Sequence, residues 1–401
     1  MINRIYRNKN IISLWVGHLV SHAGDAIYMI ALPWLMLDMT GSKSLSALVA
    51  MSAYLPALIF GLLAGSLVDI YNRKSIMIIS DLLRAVTVII IPIILIYGYA
   101  TPLFIGCLTF ALSTFGTPFY PARDSLIPHL VPEKDLPAAN SAIAVSGQMS
   151  HLLGPLFAGI GITIFGLTHL FTIDAITFLF SMLMISLISS PKNGNYEYRD
   201  NYITSIKNGI TYLKTQKGLS ILLILTMINN IFIMGPAIIG LPVFVREVLQ
   251  GDFIVLAQLE TSMASGMILG SVVFWKTIKF FTPSKILIFG LIMDGLTYSL
   301  LYWATSSYES NVILLLHGIA IPLIIVSRTT IIQKIVPDEF RGRIFSLVNM
   351  AVVGTTAIST GVTGIFLEYN SAELLFLTIG LCAASTAIVP ILSTSFKKQI
   401  P

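Results

Sequence analysis

The chain has 401 residues, of which 55% are hydrophobic and only 11% are charged. Soluble domains carry roughly 25% charged residues, so this composition and a mean hydropathy of +0.86 exclude an ordinary water-soluble protein. The net charge of +5 comes from 24 Lys and Arg residues spread over the whole chain, which leaves no basic patch for a nucleic acid, and the two cysteines imply no disulfide framework.

Long apolar runs follow one another along the sequence. A membrane-spanning helix needs roughly 17–25 mainly apolar residues, and open strands cannot satisfy their backbone in lipid. The first run is too long for the apolar region of a signal peptide, so we expect it to be a span. The twelve predicted spans are 12–37, 45–68, 76–97, 101–122, 140–165, 168–190, 219–245, 255–275, 285–305, 309–332, 344–367 and 372–395. The predicted fold class is an all-α membrane protein with twelve transmembrane helices.

The basic residues are distributed unevenly about these spans. If the N-terminus is placed in the cytoplasm, all of the 24 Lys and Arg except Lys43 and Arg246 fall in cytoplasmic loops, at the termini or in the cytoplasmic parts of spans. Basic residues accumulate on the cytoplasmic side of membrane proteins. We therefore expect both termini to be cytoplasmic.

The longest polar stretch divides the spans into two sets of six. It predicts an N-terminal six-helix bundle over 1–190, a cytoplasmic linker over 191–218 and a C-terminal six-helix bundle over 219–401.

Two short motifs recur at one offset between these halves. The sequence GLLAGS at 61–66 recurs as GMILGS at 266–271, and VPE at 131–133 recurs as VPD at 336–338, both 205 positions on (266 minus 61; 336 minus 131). Chance is the alternative, since small residues four apart are common in membrane helices. A duplicated six-helix unit is typical of secondary transporters, whose substrate site lies between the repeats.

Ionisable residues cluster in the first span, where they are costly and usually functional. His18, Ser21, His22 and Asp25 lie three or four positions apart and so share one helical face. Asp25, near the middle of the span, can carry a proton or pair with a cationic substrate, and His22 can share the proton. A packing role is the alternative. A metal site of His18, His22 and Asp25 is geometrically possible, but no further ligand cluster is evident, and we predict none.

Other polar residues within the spans are candidates either for cavity lining or for helix packing. They are Gln148, His151, Asn230, Asp294 and His317. Asn230 stands at the repeat position of Asp25 (25 plus 205). Asp174 and Glu260, near the outer starts of the sixth and eighth spans, are weaker candidates of the same kind, for which facing water is a further alternative.

The loop after the second span reads GSLVDIYNRK over 65–74. Gly65 permits a close helix approach, and Asp69 ends a helix beside Arg73 and Lys74. An acid there can pair with a basic loop or with a helix N-terminus. Contacts of this kind can form in one conformation and break in another, which predicts a cytoplasmic latch. The alternative is a helix stop with topology anchors.

Three further arginines are assigned to the predicted cytoplasmic gate. Arg341 and Arg343 lie in the matching loop of the second half, where they meet lipid headgroups or Asp69, or only anchor the topology. Arg84 lies in the inner half of the third span, and extending its side chain to the interface is the alternative to a functional role.

These motifs resemble a known family. The loop over 65–74 is similar to the signature of the major facilitator superfamily, with Ile70 and Asn72 in place of the usual basic residue and glycine. Further stretches resemble the exporter branch that includes macrolide efflux proteins and the enterobactin exporter. They are GD at 24–25, TGS at 40–42, SDLLRA at 80–85, VP at 131–132 with AN at 139–140, and VPDEFRGR at 336–343.

The resemblance covers nearly the whole chain and implies a transporter of the bacterial inner membrane. Gly154, Pro155 and Gly159 match the fifth-helix motif of the exporters in part, and imply close packing and a bend. The arginine that many proton-driven exporters carry in the middle of the fourth helix is absent. Arg123 stands only at the cytoplasmic end of that span, and Arg84 is the candidate substitute.

The sequence also excludes several functions. There is no phosphate-binding loop of the GxxxxGK[ST] type, and the loops are too short for a nucleotide-binding or catalytic domain. We therefore predict that the protein is not an enzyme and needs no cofactor. We expect a monomeric secondary transporter that works by alternating access. It exports an amphipathic small molecule (a drug, macrolide-like compound or siderophore) in exchange for protons. The alternatives are a proton-coupled importer and a non-transporting structural or signalling protein.

Overall fold

The computed structural model describes residues 8–132, 135–189 and 202–400, with a few helix side chains outside that description. No strand occurs among these residues. The α-helices are α1 Lys9–Thr40, α2 Lys43–Ser52, α3 Leu55–Ile70, α4 Arg73–Ile96, α5 Pro102–Gly116, α6 Phe119–Leu126, α7 Leu136–Phe165, α8 Leu167–Ser186, α9 Tyr202–Thr215, α10 Lys217–Gly235, α11 Leu241–Glu247, α12 Phe253–Thr277, α13 Pro283–Leu300, α14 Ser307–Ile335, α15 Asp338–Tyr369, α16 Ala372–Ser385, α17 Ile388–Leu392 and α18 Thr394–Gln399.

Twelve segments of the described chain are long and apolar enough to cross a membrane as helices. They are Lys9–Thr40, Lys43–Gly61, Arg73–Ile96, Pro102–His129, Val145–Phe165, Leu167–Ser186, Lys217–Glu247, Phe253–Thr277, Pro283–Trp303, Ser307–Ile335, Phe340–Tyr369 and Ala372–Leu392. The predicted all-α class with twelve membrane helices is confirmed.

Proline interrupts two spans that the hydropathy pattern presents as continuous. The second span breaks between α2 and α3, where Pro56 lies in the first turn of α3. The fourth breaks between α5 and α6, at Pro118. Proline removes one helical hydrogen bond, and a freed carbonyl in lipid needs another donor. Ser113 of α5 donates its hydroxyl to the carbonyl of Ala53 at 2.6 Å.

The seventh span changes its winding in the middle. Residues Pro236–Gly240 form a π-helical turn between α10 and α11. The side chain of Ser359 of α15 hydrogen-bonds to the backbone there. Its hydroxyl accepts from the Gly235 amide at 2.7 Å and donates to the Ile231 carbonyl at 2.5 Å. A π turn is retained where a neighbour satisfies its backbone groups.

The contacts divide the chain into two compact units. The first unit comprises Met1–Met39 and Ser52–Tyr202, and the second comprises Thr40–Met51 and Ile203–Pro401. The domain bounds 1–190, 191–218 and 219–401 stay a prediction.

Each unit has its own apolar core. In the first unit the core includes Leu14, Met77, Phe119 and Ile185, which are buried. In the second unit it includes Leu219, Leu291, Ile331, Ile344 and Phe396.

Part of the predicted linker is helical. Helix α9 lies in this stretch, and the ring of Tyr212 stacks on that of Phe340 of α15, with centroids 4.3 Å apart. The polar composition of the stretch gave no sign of this contact.

Glycines bring α12 and α14 together in the second unit. A Cβ atom added to Gly266 would collide with the carbonyl oxygen of Leu315, and one added to Gly318 would collide with the carbonyl oxygen of Met263. Gly61, the repeat counterpart of Gly266, has no neighbouring atom within 4 Å of such a Cβ. Small residues at helix contacts allow backbones to approach closely in membranes.

Gly266→Ala tests this contact. The added methyl group pushes α12 from α14, and overpacking typically lowers the free energy of unfolding by about 1–3 kcal/mol. Gly61→Ala is the matched control, and it should leave stability unchanged or raise it slightly because alanine favours helix more than glycine. Thermal unfolding of both purified variants in detergent measures the difference. Equal transition temperatures would contradict the close contact.

Candidate functional site

The centre of the first unit contains a buried ion pair between Asp25 of α1 and Arg84 of α4. The guanidinium Nη2 contacts the Asp25 Oδ1 directly, and its Nη1 lies 3.5 Å from the Oδ1 of Asp81, one turn earlier on α4. The side chains of Arg84 and Asp81 are 7% and 0% exposed, whereas that of Asp25 is 23% exposed. Asp25 is therefore the most exposed of these three side chains.

Helix α8 adds a third acid and an aromatic ring to the same group. Asp174 is fully buried and lies in electrostatic range of both Asp25 and Arg84. The guanidinium carbon of Arg84 lies 3.8 Å from the ring centroid of Phe178, which is a cation–π geometry. Three carboxyl groups thus surround one guanidinium. Of the alternatives for Asp174, facing water is excluded, because α8 turns it towards α1.

Glycines make the space for these buried charges. A Cβ atom on Gly24 of α1 would overlap the side chains of Thr177 and Asp174. One on Gly116 of α5 would lie 3.2 Å from the Nε of Arg84. The absence of side chains at these two points allows the charged groups to approach the neighbouring helices.

The two histidines of the first span lie beside this group. Arg123 donates to the Nε2 of His18, and the Nδ1 of His18 lies 3.1 Å from the hydroxyl of Ser146. Arginine can only donate, so the Nε2 accepts and His18 is held as the neutral imidazole with its hydrogen on Nδ1. The ring of His22 lies 5.2 Å from that of His18, and both lie 6.3 Å from the ring of Tyr120.

The polar candidates of the second unit occupy two places. Asn230 of α10 donates its amide to the Val352 carbonyl at 3.0 Å and to the hydroxyls of Thr355 and Thr356, both at 2.9 Å, so it bonds α10 to α15. The other two candidates, one on α13 and one on α14, are buried and adjacent: the Nδ1 of His317 lies 3.5 Å from the Oδ1 of Asp294.

The side chains of Asp69, Gln148 and His151 lie outside the part of the chain that the structure describes.

The gate loop of the first half is anchored within its own unit. Arg73 contacts the Nε2 of His129, and Lys74 donates to the carbonyls of Ser186 at 2.8 Å and Ile188 at 2.6 Å. Asn72 explains one departure from the family signature, because its side chain accepts from the Ser75 amide at 3.2 Å and caps α4. Gly65 is half-buried within α3.

The remaining arginines of the predicted gate have different surroundings. Arg341 donates to the carbonyls of Gln333 at 3.0 Å and Val336 at 3.4 Å, and so caps the end of α14. The guanidinium of Arg343 lies 5.3 Å from the ring of Phe340. Arg84 lies in the buried ion pair with Asp25 and does not extend to an interface.

The predicted helix-packing residues lie in α7. A Cβ atom on Gly154 would overlap that of Ala26, so α7 and α1 are in close contact. Pro155 is buried inside the helix and Gly159 is half-buried. Within the described residues, no three His, Cys, Asp or Glu side chains are grouped so as to hold a metal ion.

Sequence comparison relates the whole chain to bacterial exporters. The family described as transmembrane secretion effector matches residues 5–399. Macrolide efflux protein A of Streptococcus pyogenes is 25% identical over 386 residues, which cover 94% of each chain. The multidrug efflux pump Tap of Mycolicibacterium fortuitum is 24% identical over 363 residues, covering 88% of this chain and 87% of the pump.

Structural comparison shows the same fold at low identity. A mutant of the nucleoside transporter NupG superposes with a TM-score of 0.78 and 14% identity, covering 98% of this chain and all of that one.

Arg84→Gln tests whether this guanidinium holds the three acids together. Removing one partner of a buried ion pair lowers the free energy of unfolding by roughly 3–5 kcal/mol. Adding Asp25→Asn to Arg84→Gln should recover part of that loss, because one unpaired carboxylate is removed. Denaturant unfolding in detergent measures the stability of the single and the double variant. The control is Lys279→Gln, which removes an exposed cation in the second unit. An Arg84→Gln protein as stable as the control would contradict the pairing.

Proposed function

The chain belongs to the transmembrane secretion effector family of the major facilitator superfamily, and on this basis we propose that it exports an amphipathic organic molecule in exchange for protons. As a member of that family it is a multi-pass transporter of the bacterial inner membrane, and it is not an enzyme. The substrate, the direction of transport and the coupling ion belong to the proposal.

The relatives support a substrate that is largely apolar. One is a macrolide efflux protein and another a multidrug efflux pump, and each aligns with most of this chain. A macrolide-like compound or another amphipathic drug is therefore the first substrate class to test. A siderophore is the next, on the resemblance of the exporter motifs.

The observation that carries the proton coupling is the ion pair of Asp25 and Arg84. Only Asp25 among the three acids of this group is appreciably exposed. A proton from water therefore reaches Asp25 first. Protonation removes its charge and ends its attraction for the guanidinium, whereas Asp81 and Asp174 remain beside Arg84.

Exchange of partners gives two states. With Asp25 charged, Arg84 binds α1 to α4. With Asp25 protonated, the guanidinium interacts with Asp81, whose Oδ1 already lies 3.5 Å away, and with Asp174 of α8. The contact between α1 and α4 is then weakened. A buried ion pair with two alternative arrangements can serve as the element that proton binding biases.

The remaining parts of the proposal follow from the sequence. Both termini are cytoplasmic, the two six-helix bundles move in alternating access, and the loop over 65–74 in the first half and Arg341 and Arg343 in the second belong to the cytoplasmic gate. The protein acts as a monomer. An importer with the same coupling, and a protein that has lost transport, are the two alternatives.

Efflux in inverted membrane vesicles tests the proposal. Energised vesicles with the wild-type protein should accumulate at least one of erythromycin, a cationic dye or a catechol chelator, and a protonophore should abolish the uptake. Asp25→Asn should reduce proton-driven uptake at least tenfold, because the residue no longer binds and releases a proton. Asp252→Asn, the same change at an exposed helix cap that asparagine also serves, should transport as wild type does.

The outcomes separate the alternatives. Equal uptake by the wild type and Asp25→Asn would contradict the role of Asp25. Accumulation only in right-side-out vesicles would favour the importer. No movement of any of the three probes in either orientation would count against an amphipathic exporter.

A further inference from the structure

The second unit has a buried ionisable cluster of its own, at the contact of α10, α13 and α14. Asp294 and His317 are 1% and 0% exposed. The Oδ1 of Asp294 lies 3.5 Å from the Nδ1 of His317, and its Oδ2 accepts from the amide of Asn229 at 3.4 Å. Both distances exceed those of ordinary charge-assisted hydrogen bonds, about 2.7–2.9 Å. The pair is adjacent but loosely bonded.

The hydrogen-bond partners fix one hydrogen of His317. Its Nδ1 lies 3.2 Å from the backbone carbonyl of Asp294 and 3.2 Å from the hydroxyl of Thr297. The carbonyl can only accept. The Thr297 hydroxyl donates to the Met293 carbonyl at 2.7 Å and therefore also accepts from the ring. The Nδ1 consequently carries a hydrogen, and the protonation state of His317 depends on Nε2 alone.

Several buried polar atoms here have no hydrogen-bond partner among the described residues. They are the Nε2 of His317, the hydroxyl of Tyr298, the Oδ1 of Asp294 and the Oδ1 of Asn229. The rings of Tyr298 and His317 contact each other edge to face with centroids 3.8 Å apart. Leaving buried polar atoms unpaired is unfavourable. A cluster selected only for packing would not retain so many of them.

Charge balance then determines how many protons the pair holds. With one proton besides the Nδ1 hydrogen, the pair is neutral, either as carboxylic acid and imidazole or as carboxylate and imidazolium. Losing that proton leaves a buried negative charge, gaining another leaves a buried positive charge, and neither has a counter-ion among the residues that the structure describes. The dry pair therefore holds one proton and releases it only when water enters.

We propose that Asp294 and His317 form a second proton-binding site, separate from the group around Asp25, which holds one exchangeable proton in the second unit. The inference rests on the proposed function, because it adds a proton to the same transport cycle.

The route to this site begins at Glu260 of α12. Among the described residues, Tyr298 on α13 is the titratable group that contacts the pair, and Glu260, which is half-buried, is in electrostatic range of Tyr298. Helix α10 contributes the amide of Asn229, and α16 contributes the apolar ring of Phe376 against Tyr298. A proton moves from Glu260 past Tyr298 to the pair.

Infrared difference spectroscopy of the purified protein in lipid nanodiscs tests the site without any transported substrate. A buried protonated carboxyl group has a carbonyl-stretch band that shifts in heavy water. The wild type should show such a band that disappears as the pH is raised. Asp294→Asn should remove the band, and Asp294→Glu should keep it at a shifted frequency. His317→Gln should change the pH at which the band disappears. Glu260→Gln should slow its exchange in heavy water.

Two variants serve as controls, and a second readout is available if Asp294→Asn does not fold. Asp252→Asn and Asp25→Asn should leave the band in place. If Asp294→Asn does not fold, Asp294→Glu reports on the same proton. The nitrogen NMR signals of His317 report on it too, and they are assigned as the signals that His317→Gln lacks. A spectrum that loses no wild-type band in Asp294→Asn, together with His317 nitrogen signals that do not titrate, would overturn the second site. Because no substrate is needed, that result is distinct from a failure of export.

Discussion

A charge in the interior of a membrane protein persists only if an opposite charge lies beside it, and in the first unit three carboxyl groups share one guanidinium, which can balance one of them at a time. The surrounding structure is arranged around that requirement. Gly24 and Gly116 leave room for the charged side chains, and Phe178 covers the guanidinium. Because α1, α4 and α8 meet at Arg84, any change in the charge of Asp25 alters the contact between helices. On the proposed function, stability and transport are linked at this point.

Hydropathy was sufficient to predict the all-α class and the number of spans, since a bilayer imposes length and composition on each helix. The polar face of the first span indicated Asp25, because an ionisable residue within a bilayer is costly and usually functional. The identity of its partner depends on packing: Arg84 is 59 positions away and was assigned to the gate. Asp81 had a readable signal, because it precedes Arg84 by three positions on one helix face. Asp174 had none. The proline breaks and helix α9 were not predicted from the sequence, because the composition of a segment does not show where a helix begins or ends.

The two units use different chemistry at related positions. Asn230, at the repeat position of Asp25, cannot ionise and bonds α10 to α15 through threonine hydroxyls and a carbonyl. Conversely, the positions of the first half that correspond to Asp294 and His317 are Ile89 and Leu112 (294 minus 205; 317 minus 205), which are apolar. If the halves arose by duplication, they have since diverged at both clusters. On the two proposals, the units contribute two sites at which protonation alters packing.

Coupling between protons and substrate is measured most directly with purified protein in sealed proteoliposomes that contain a pH indicator and no other energy source. An outward gradient of a transported probe, such as erythromycin, is imposed without any proton gradient. Exchange predicts that the lumen becomes more acidic as the probe leaves, in fixed proportion to it, and that Asp25→Asn abolishes this change. Probe movement through the wild-type protein with no change in internal pH would contradict proton-coupled export.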